Sequence, residues 1–250
     1  MVVLKTAREL SVMREACRIS AKALQLAGKA VEPGVTTAEI DRIAEAYIRS
    51  EGAVPNFKNY NGYPATICIS INNEVIHGIP SKKRVIKAGD IVSIDLGAMF
   101  EGYHGDNAAT FAAGDISKEA QRLLDVTKQS LYEGIAAAVA GNRIGDISCA
   151  VQSHVEKNGY SVVRDYVGHG IGTKLHEAPE VANFGRAGHG IRLVPGMTLA
   201  IEPMVNEGRF QVDVMPDGWT VLTQDGSLSA HFEHTVAITA DGPMIMTKAD

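Results

Sequence analysis

The chain has 250 residues, of which 45% are hydrophobic and 21% charged, which supports a sizeable buried core and sets aside a disordered or fibrous chain. Its formal net charge of −5 argues against stable nucleic-acid binding, which needs a basic excess. Three cysteines without a CxxC pair (Cys17, Cys68, Cys149) argue against a disulfide framework and for a reducing compartment. No run approaches the roughly 18 apolar residues of a membrane span, and "MVVLKTARELSVMREACR" lacks the apolar core of a signal peptide. The expectation is a cytoplasmic protein with no membrane association.

In chain order, "TARE" from Thr6 has the S/T-x-x-E form of a capping box and opens a first helix. Leu10, Met13, Cys17 and Leu24 recur on one face of it. "TTAE" sets Thr36 and Glu39 in the same relation and starts a second helix that runs to Gly52. Apolar spacing predicts a third helix over about 117–140 and a fourth over about 146–158, stopped by Gly159. Strands are predicted in "TICISIN", "DIVSIDLGAMF", "NAATFAA", "MTLAIEPMV" and "TVAIT", with a hairpin turn at Phe100–Gly102. Helices and strands come in blocks, so an α+β class with a largely antiparallel sheet is expected, as one domain over 1–250. In "SKKRVIK", 81–87, four cations fall within seven positions; a solvated turn is the simpler reading and an anionic contact surface the other.

A shift of 107 positions lays Gly34 on Gly141, Ile40 on Ile147, Gly52 on Gly159, Gly89 on Gly196, Ile94 on Ile201 and Asp95 on Glu202. One offset serves a helix and a following strand, which points to two related halves about a pseudo-twofold axis.

Carboxylates recur inside apolar strands, where an unpaired charge costs several kcal/mol. Asp95 follows "IVSI", Glu202 follows "TLAI", Asp106 sits in "YHGDNAATF" and Glu233 in "SAHFEHTVAIT", read as the last strand. Any one could be neutralised by an arginine or by backbone amides. Four in one chain call for a shared compensator, and two divalent ions cancel about that charge. An imidazole would complete such a centre, and His169 in "VGHG" is the candidate because flanking glycines allow close approach. On its own, "YVGHGIGTKLHEAP" reads as a glycine-rich polar loop holding His169 and His176. A paired-metal centre can generate hydroxide near neutral pH and polarise a carbonyl, which is hydrolytic chemistry.

"SIDLGAMFEGYHGDNAATF", "YVGHGIGTKLHEAP", "MTLAIEPM" and "SAHFEHT" together resemble the ordered signatures of the type I methionine aminopeptidases, in the bacterial form without an N-terminal extension. The likeness runs from about residue 4 to 247. It implies the pita-bread (creatinase/aminopeptidase) fold, two pseudo-twofold-related halves around a curved antiparallel sheet. It also implies removal of the initiator methionine from nascent proteins and peptides when the second residue is small, with a dinuclear centre and bridging hydroxide. By this resemblance the metal ligands are Asp95, Asp106, His169, Glu202 and Glu233. Asp95 would serve one ion as a bidentate ligand, His169 and Glu202 the other, and Asp106 and Glu233 would bridge. The ions would be two divalent metals among Co, Mn, Fe, Zn and Ni. Catalytic roles fall to His77, near the scissile nitrogen; to His176, a donor to the scissile carbonyl oxygen; and to Glu202 as proton shuttle. Substrate would be held by Phe57, Tyr60, Tyr63, Cys68, Leu175 and Trp219 together with His77 and His176. Phe57 stands where relatives often have cysteine, and Leu175 where they often have an aromatic residue, which bears on the pocket's width. The resemblance further implies a monomer in transient contact with the ribosome, with part of that contact at 81–87. Alternative readings are an Xaa-Pro aminopeptidase or prolidase-like dipeptidase, and a non-enzymatic pita-bread peptide-binding domain.

Overall fold

The computed structural model describes residues 2–249. In chain order the elements are α1 (Ala7–Lys29), α2 (Thr37–Ser50), β1 (Val54–Pro55), β2 (Ile67–Ile71), β3 (Glu74–Ile76), β4 (Ile91–Phe100) and β5 (Tyr103–Ala112). Then follow α3 (Lys118–Ala137), α4 (Ile144–Lys157), β6 (Ser161–Val162), β7 (Gly168–Gly170), β8 (Glu177–Val181) and β9 (Thr198–Ile201). The chain ends with β10 (Met204–Asn206), β11 (Val212–Val214), β12 (Val221–Thr223), β13 (Ser229–His231), β14 (Glu233–Thr239) and β15 (Gly242–Ile245). The described strand pairings are antiparallel, as the block order of helices and strands implies.

Local signals account for the helix starts. Thr6 and Glu9 form the full capping box, each side chain bonded to the other's backbone N–H. At α2 only half of it forms: Thr36 Oγ1 accepts from the Glu39 N–H, while the Glu39 carboxylate turns outward to Arg42. An adjacent guanidinium outcompetes a single backbone N–H for that carboxylate. α3 stops at Ala137, earlier than its apolar spacing implies, and α4 starts two residues sooner than expected and ends before Gly159 (φ 86°). The β4–β5 hairpin turns on Glu101 and Gly102, both at positive φ, which suits the twist of a two-residue hairpin.

The repeat is stronger in the fold than in the residues. α2 and α4 are both 14 residues long and sit 107 positions apart. The isolated bridge Thr36–Val85 recurs as Arg143–Arg192. The Gly34 N–H donates to Ile86 O at 2.8 Å, and the Gly141 N–H to Leu193 O at 2.9 Å, again at that offset. The main sheet runs β1-β4-β5-β14-β9-β7-β8, with β2 against β4 and β15 against β14, and curls into a half-barrel. With β9 as counterpart of β4 and β14 as counterpart of β5, the central order β4-β5-β14-β9 reads the same from either end. A twofold relation requires that symmetry. α1 and α2 cover the first half over a core of Ile40, Ile48, Ile69 and Ile94; α3 and α4 cover the second over Leu123, Ile147, Leu199 and Val236.

Three strand expectations change. "NAATFAA" is the end of a longer strand that begins at Tyr103. "MTLAIEPMV" is two strands, because Pro203 has no N–H for the ladder and the chain bends at Glu202. The strand of Glu233 is followed by β15 and is not the last. In 81–87, Lys82, Lys83 and Lys87 are exposed, but Arg84 is not a free surface cation: it pairs with Glu74 and donates to Ile69 O and Ile79 O.

Candidate metal centre

The five expected ligands meet at the seam between the halves, and strand register explains how. Asp95 on β4 faces Ala108 on β5, and Ala108 also faces Glu233 on β14. Two residues along, Gly97 faces Asp106. On the far side Thr235 faces Ala200, which faces His169 on β7. Side chains two apart share a face, so these rows project onto one concave surface. Glu202 extends that surface just beyond β9. Small residues between the carboxylates (Gly97, Ala108, Ala200) leave room for them. At Gly97 nothing larger fits, since a Cβ there would land on Asn56 Nδ2.

Asp106, His169 and Glu233 each present a ligand atom, and these atoms lie within 4.8 Å of one another. His169 Nε2 is 3.6 Å from Glu202 Oε1. Asp95 and Glu202 line the same cavity as that trio. Asp95 Oδ1, Asp106 Oδ1 and Glu233 Oε1 are buried without any hydrogen-bond partner. Burial raises the Asp95 carboxyl to about 7, and burial together with the neighbouring carboxylates pushes Asp106, Glu202 and Glu233 well up. Among the described residues no lysine or arginine pairs with these four acids, and the one backbone N–H that lowers any of them, Asn107 on Asp106, does not offset burial. Unpaired buried acceptors of one sign, with an imidazole beside them, fit a divalent cation centre.

His169 is buried on a strand rather than carried on a surface loop. The run "GHG" is too short and too glycine-rich to announce a strand, and pairing on both sides makes it one. The ring Nδ1 lies 2.8 Å from Gly170 O, and a carbonyl only accepts, so the proton sits on Nδ1. Nε2 therefore keeps a free lone pair toward the carboxylates. That is the tautomer a metal-binding imidazole needs. Burial lowers its pKa to about 3, which keeps the ring neutral.

The cavity above the carboxylates measures about 200 Å³ and is lined by every expected substrate residue: Phe57, Tyr60, Tyr63, Cys68, His77, Leu175, His176 and Trp219. Tyr63 packs edge-on against Trp219 at 5.0 Å. Burial and the nearby Asp95 hold the Cys68 thiol protonated, so it acts as apolar wall. His77 sits at φ 61°, an unusual backbone for a non-glycine residue, with Tyr166 and Trp219 edge-on to its ring. Burial lowers its pKa to about 4. His176 stands at the mouth on the 172–176 turn, its ring 4.1 Å from that of His169, with Nδ1 2.8 Å from Tyr60 Oη.

Two residues here escaped the sequence reading. Asn61 lines the cavity. His231, on β13, is buried with Nε2 unpartnered, 3.7 Å from Glu202 Oε2, so that the Glu202 carboxylate lies between two imidazoles. The only signal was a second histidine in "SAHFEHT".

The raised carboxyl of Asp95 has a consequence for the metal-free protein. In the fold it holds its proton up to about pH 7, whereas unfolded it loses it near its ordinary value of 3.8. Its contribution to stability is therefore present below about pH 4 and is lost as pH climbs toward 7. Scanning calorimetry of chelated protein should show Tm falling between pH 5 and 8, and added divalent cation should offset the fall. A flat profile would contradict the unpaired-carboxylate account.

The family model described as metallopeptidase family M24 matches residues 11–240. The methionine aminopeptidase of Clostridium acetobutylicum is 56% identical over 99% of this chain and 99% of that protein. The crystal structure of methionine aminopeptidase from Thermotoga maritima superposes with a TM-score of 0.98 at 44% identity, covering 99% of this chain and 100% of that one. A prolidase from Pyrococcus furiosus superposes at 0.78 with 25% identity; 99% of this chain is covered, against 66% of the prolidase.

Proposed function

The chain belongs to metallopeptidase family M24, with its pita-bread fold, and from that premise we propose that it acts as a methionine aminopeptidase. It removes the N-terminal methionine of nascent proteins and peptides whose second residue is small. One observation carries this reading: four carboxylates and an imidazole, with three carboxylate oxygens unpartnered, form the floor of an apolar-walled cavity large enough for a single side chain.

In this reading Asp95, Asp106, His169, Glu202 and Glu233 hold two divalent ions drawn from Co, Mn, Fe, Zn and Ni. Bound there, such ions lower the pKa of water toward neutrality and polarise a carbonyl. The remaining work falls to side chains. Glu202, between His169 and His231, has the position and the raised basicity to take a proton from the attacking water. His176 donates to the scissile carbonyl oxygen as negative charge develops on it. His77, held rigidly by its backbone and two aromatic rings, orients the peptide near the scissile nitrogen. Phe57, Tyr63, Cys68, Leu175 and Trp219 enclose the unbranched thioether chain, whose polarisable sulfur suits aromatic walls.

Prolidase-type chemistry on the same scaffold is separated by substrate. Met-Ala-Ser should be cleaved and Ala-Pro-Ala left intact, with turnover abolished by chelation and restored by single divalent metals. Cleavage of Ala-Pro-Ala alone would overturn the reading, and metal-independent turnover would overturn the centre.

The same reading makes the protein a single catalytic domain acting as a cytoplasmic monomer near the ribosome exit. Among the described residues no helix is long and apolar enough to cross a membrane. Of the basic segment, Lys82, Lys83 and Lys87 are exposed and available for ribosomal phosphates, while Arg84 is occupied by Glu74. Charge reversal at Lys82 and Lys83 that left ribosome affinity unchanged would remove this segment from the contact.

A further inference from the structure

Lys5 is a buried lysine, with its side chain 3% exposed, and its Nζ lies 2.6 Å from Oε2 of Glu177, whose side chain is 7% exposed. The two are 172 positions apart, one in the N-terminal lead-in and the other directly after His176. Oε1 of the same carboxylate accepts from the Lys174 N–H at 3.2 Å, which ties down the turn that carries His176. The Lys5 N–H donates to Gly196 O at 2.8 Å, and its ammonium also donates to Val3 O at 3.2 Å. From the other side, the His104 N–H donates to Gly172 O at 2.9 Å. Burial pushes the Glu177 carboxyl up, but Lys5 and the Lys174 N–H more than reverse this, so the group is ionised.

Apart from these bonds, the turn is held by the Gly172 N–H, which donates to Lys174 O at 3.0 Å, and by Leu175, buried in the apolar cluster beside the cavity. Residues 172–176 are bends between β7 and β8, and Thr173, Lys174 and His176 are exposed. Gly172 is shaped to the ion pair: a Cβ there would lie 2.5 Å from both Glu177 Oε1 and Lys5 Cε, and 2.7 Å from Lys5 Nζ. Taking two charges out of water is costly, and a buried ion pair is on average no more stabilising than an apolar pair of similar volume. Stability alone therefore gives weak reason for a lysine here. Fixing the geometry of the adjacent histidine gives a better one, because a reacting group displaced by about 1 Å loses on the order of 10²-fold in rate.

We infer that Lys5 and Glu177 are positioning residues: their buried ion pair latches the N-terminal segment onto the 172–177 turn and sets His176 over the centre, opposite its contact with Tyr60. The latch rests on the reading of His176 as the oxyanion donor. It is not a metal ligand set, and the carboxylate floor does not depend on it.

Two variants of the full-length, metal-loaded protein test it. Gly172→Ala keeps both charges but forces them apart, and Lys5→Met/Glu177→Gln removes both charges while leaving an acceptor for the Lys174 N–H. Both should bind Mn with wild-type stoichiometry and affinity in calorimetric titration. On Met-Ala-Ser, kcat should fall about 10–100-fold with KM within about twofold. Amide exchange at 172–177 should speed by about tenfold or more in the metal-free protein, while exchange in β4 and β5 stays at wild-type rates. The double variant should melt within a few degrees of wild type, which a merely structural ion pair replaced by uncharged side chains would also do; kcat and local exchange distinguish the two. Wild-type exchange at 172–177 in both variants, or faster exchange with unchanged kcat, would overturn the latch. Should the wild-type protein itself fail on Met-Ala-Ser, the proposed function falls, and the exchange measurement still decides whether the latch exists.

Discussion

Asp106→Asn should abolish turnover of a methionyl tripeptide, by about 10³-fold or more, while leaving the protein folded and at least as stable without metal. The substitution is nearly isosteric. The backbone bonds that seat the residue survive it, since Thr235 Oγ1 accepts from the Asp106 N–H at 3.1 Å and donates to its carbonyl at 2.8 Å. What is lost is one negative charge from the middle of the carboxylate floor, with Asp95 and Glu233 on either side. In the metal-free protein that loss relieves repulsion, so Tm at pH 8 should rise. In the loaded protein it would remove one of the proposed ligands, and with it several kcal/mol of transition-state stabilisation. Calorimetric metal titration should show weaker or incomplete loading. A variant with full activity would remove Asp106 from the centre, and a destabilised metal-free variant would contradict the electrostatic account of the site.

His176→Ala should lower kcat about 10²–10³-fold, the usual cost of removing one oxyanion donor, with metal loading unchanged. Though His176 is exposed on its outer side, desolvation on its cavity side lowers its pKa, so the ring is neutral at pH 7 and donates from whichever nitrogen holds the proton. The Tyr60 hydroxyl sits 2.8 Å from Nδ1; donating there, it leaves the proton on Nε2, the nitrogen free to face substrate. Tyr60→Phe should therefore cost less, about tenfold, by releasing the tautomer rather than removing the donor. Steady-state kinetics separates the two. Equal losses in both variants would mean that Tyr60 acts directly, and no loss in His176→Ala would assign the donor role elsewhere.

Much of the centre was legible because it breaks a rule. Asp95 and Glu202 stand out from "IVSID" and "TLAIE" since an ionised carboxylate does not belong in an apolar strand without a compensator. The helix starts at Thr6 and Thr36 and the stop before Gly159 were legible because capping acts over three or four residues. β7 was not: three residues carry no periodicity, and the strand exists only through its pairing with β8 and β9. His231 was hidden for a related reason. Its neighbour Glu202 is remote in sequence, and a single histidine between Ala230 and Phe232 carries no mark of a site until the β10–β13 pairing buries it beside that carboxylate. Arg84 read as one more exposed cation until Glu74 folded back against it.

By itself the sequence determined the helix caps at Thr6 and Thr36 and the hairpin turn expected at Phe100–Gly102, which depend on local stereochemistry, and it marked the strand carboxylates as candidate ligands through the cost of burying charge, while a single 107-residue offset disclosed the repeat. Only the tertiary structure decided that strand register sets the carboxylates on one concave surface, that His169 lies buried on a strand, and that Lys5 reaches Glu177 across 172 positions. Those outcomes rest on long-range strand pairing and on which side chains are removed from water together, and no short window of sequence contains either.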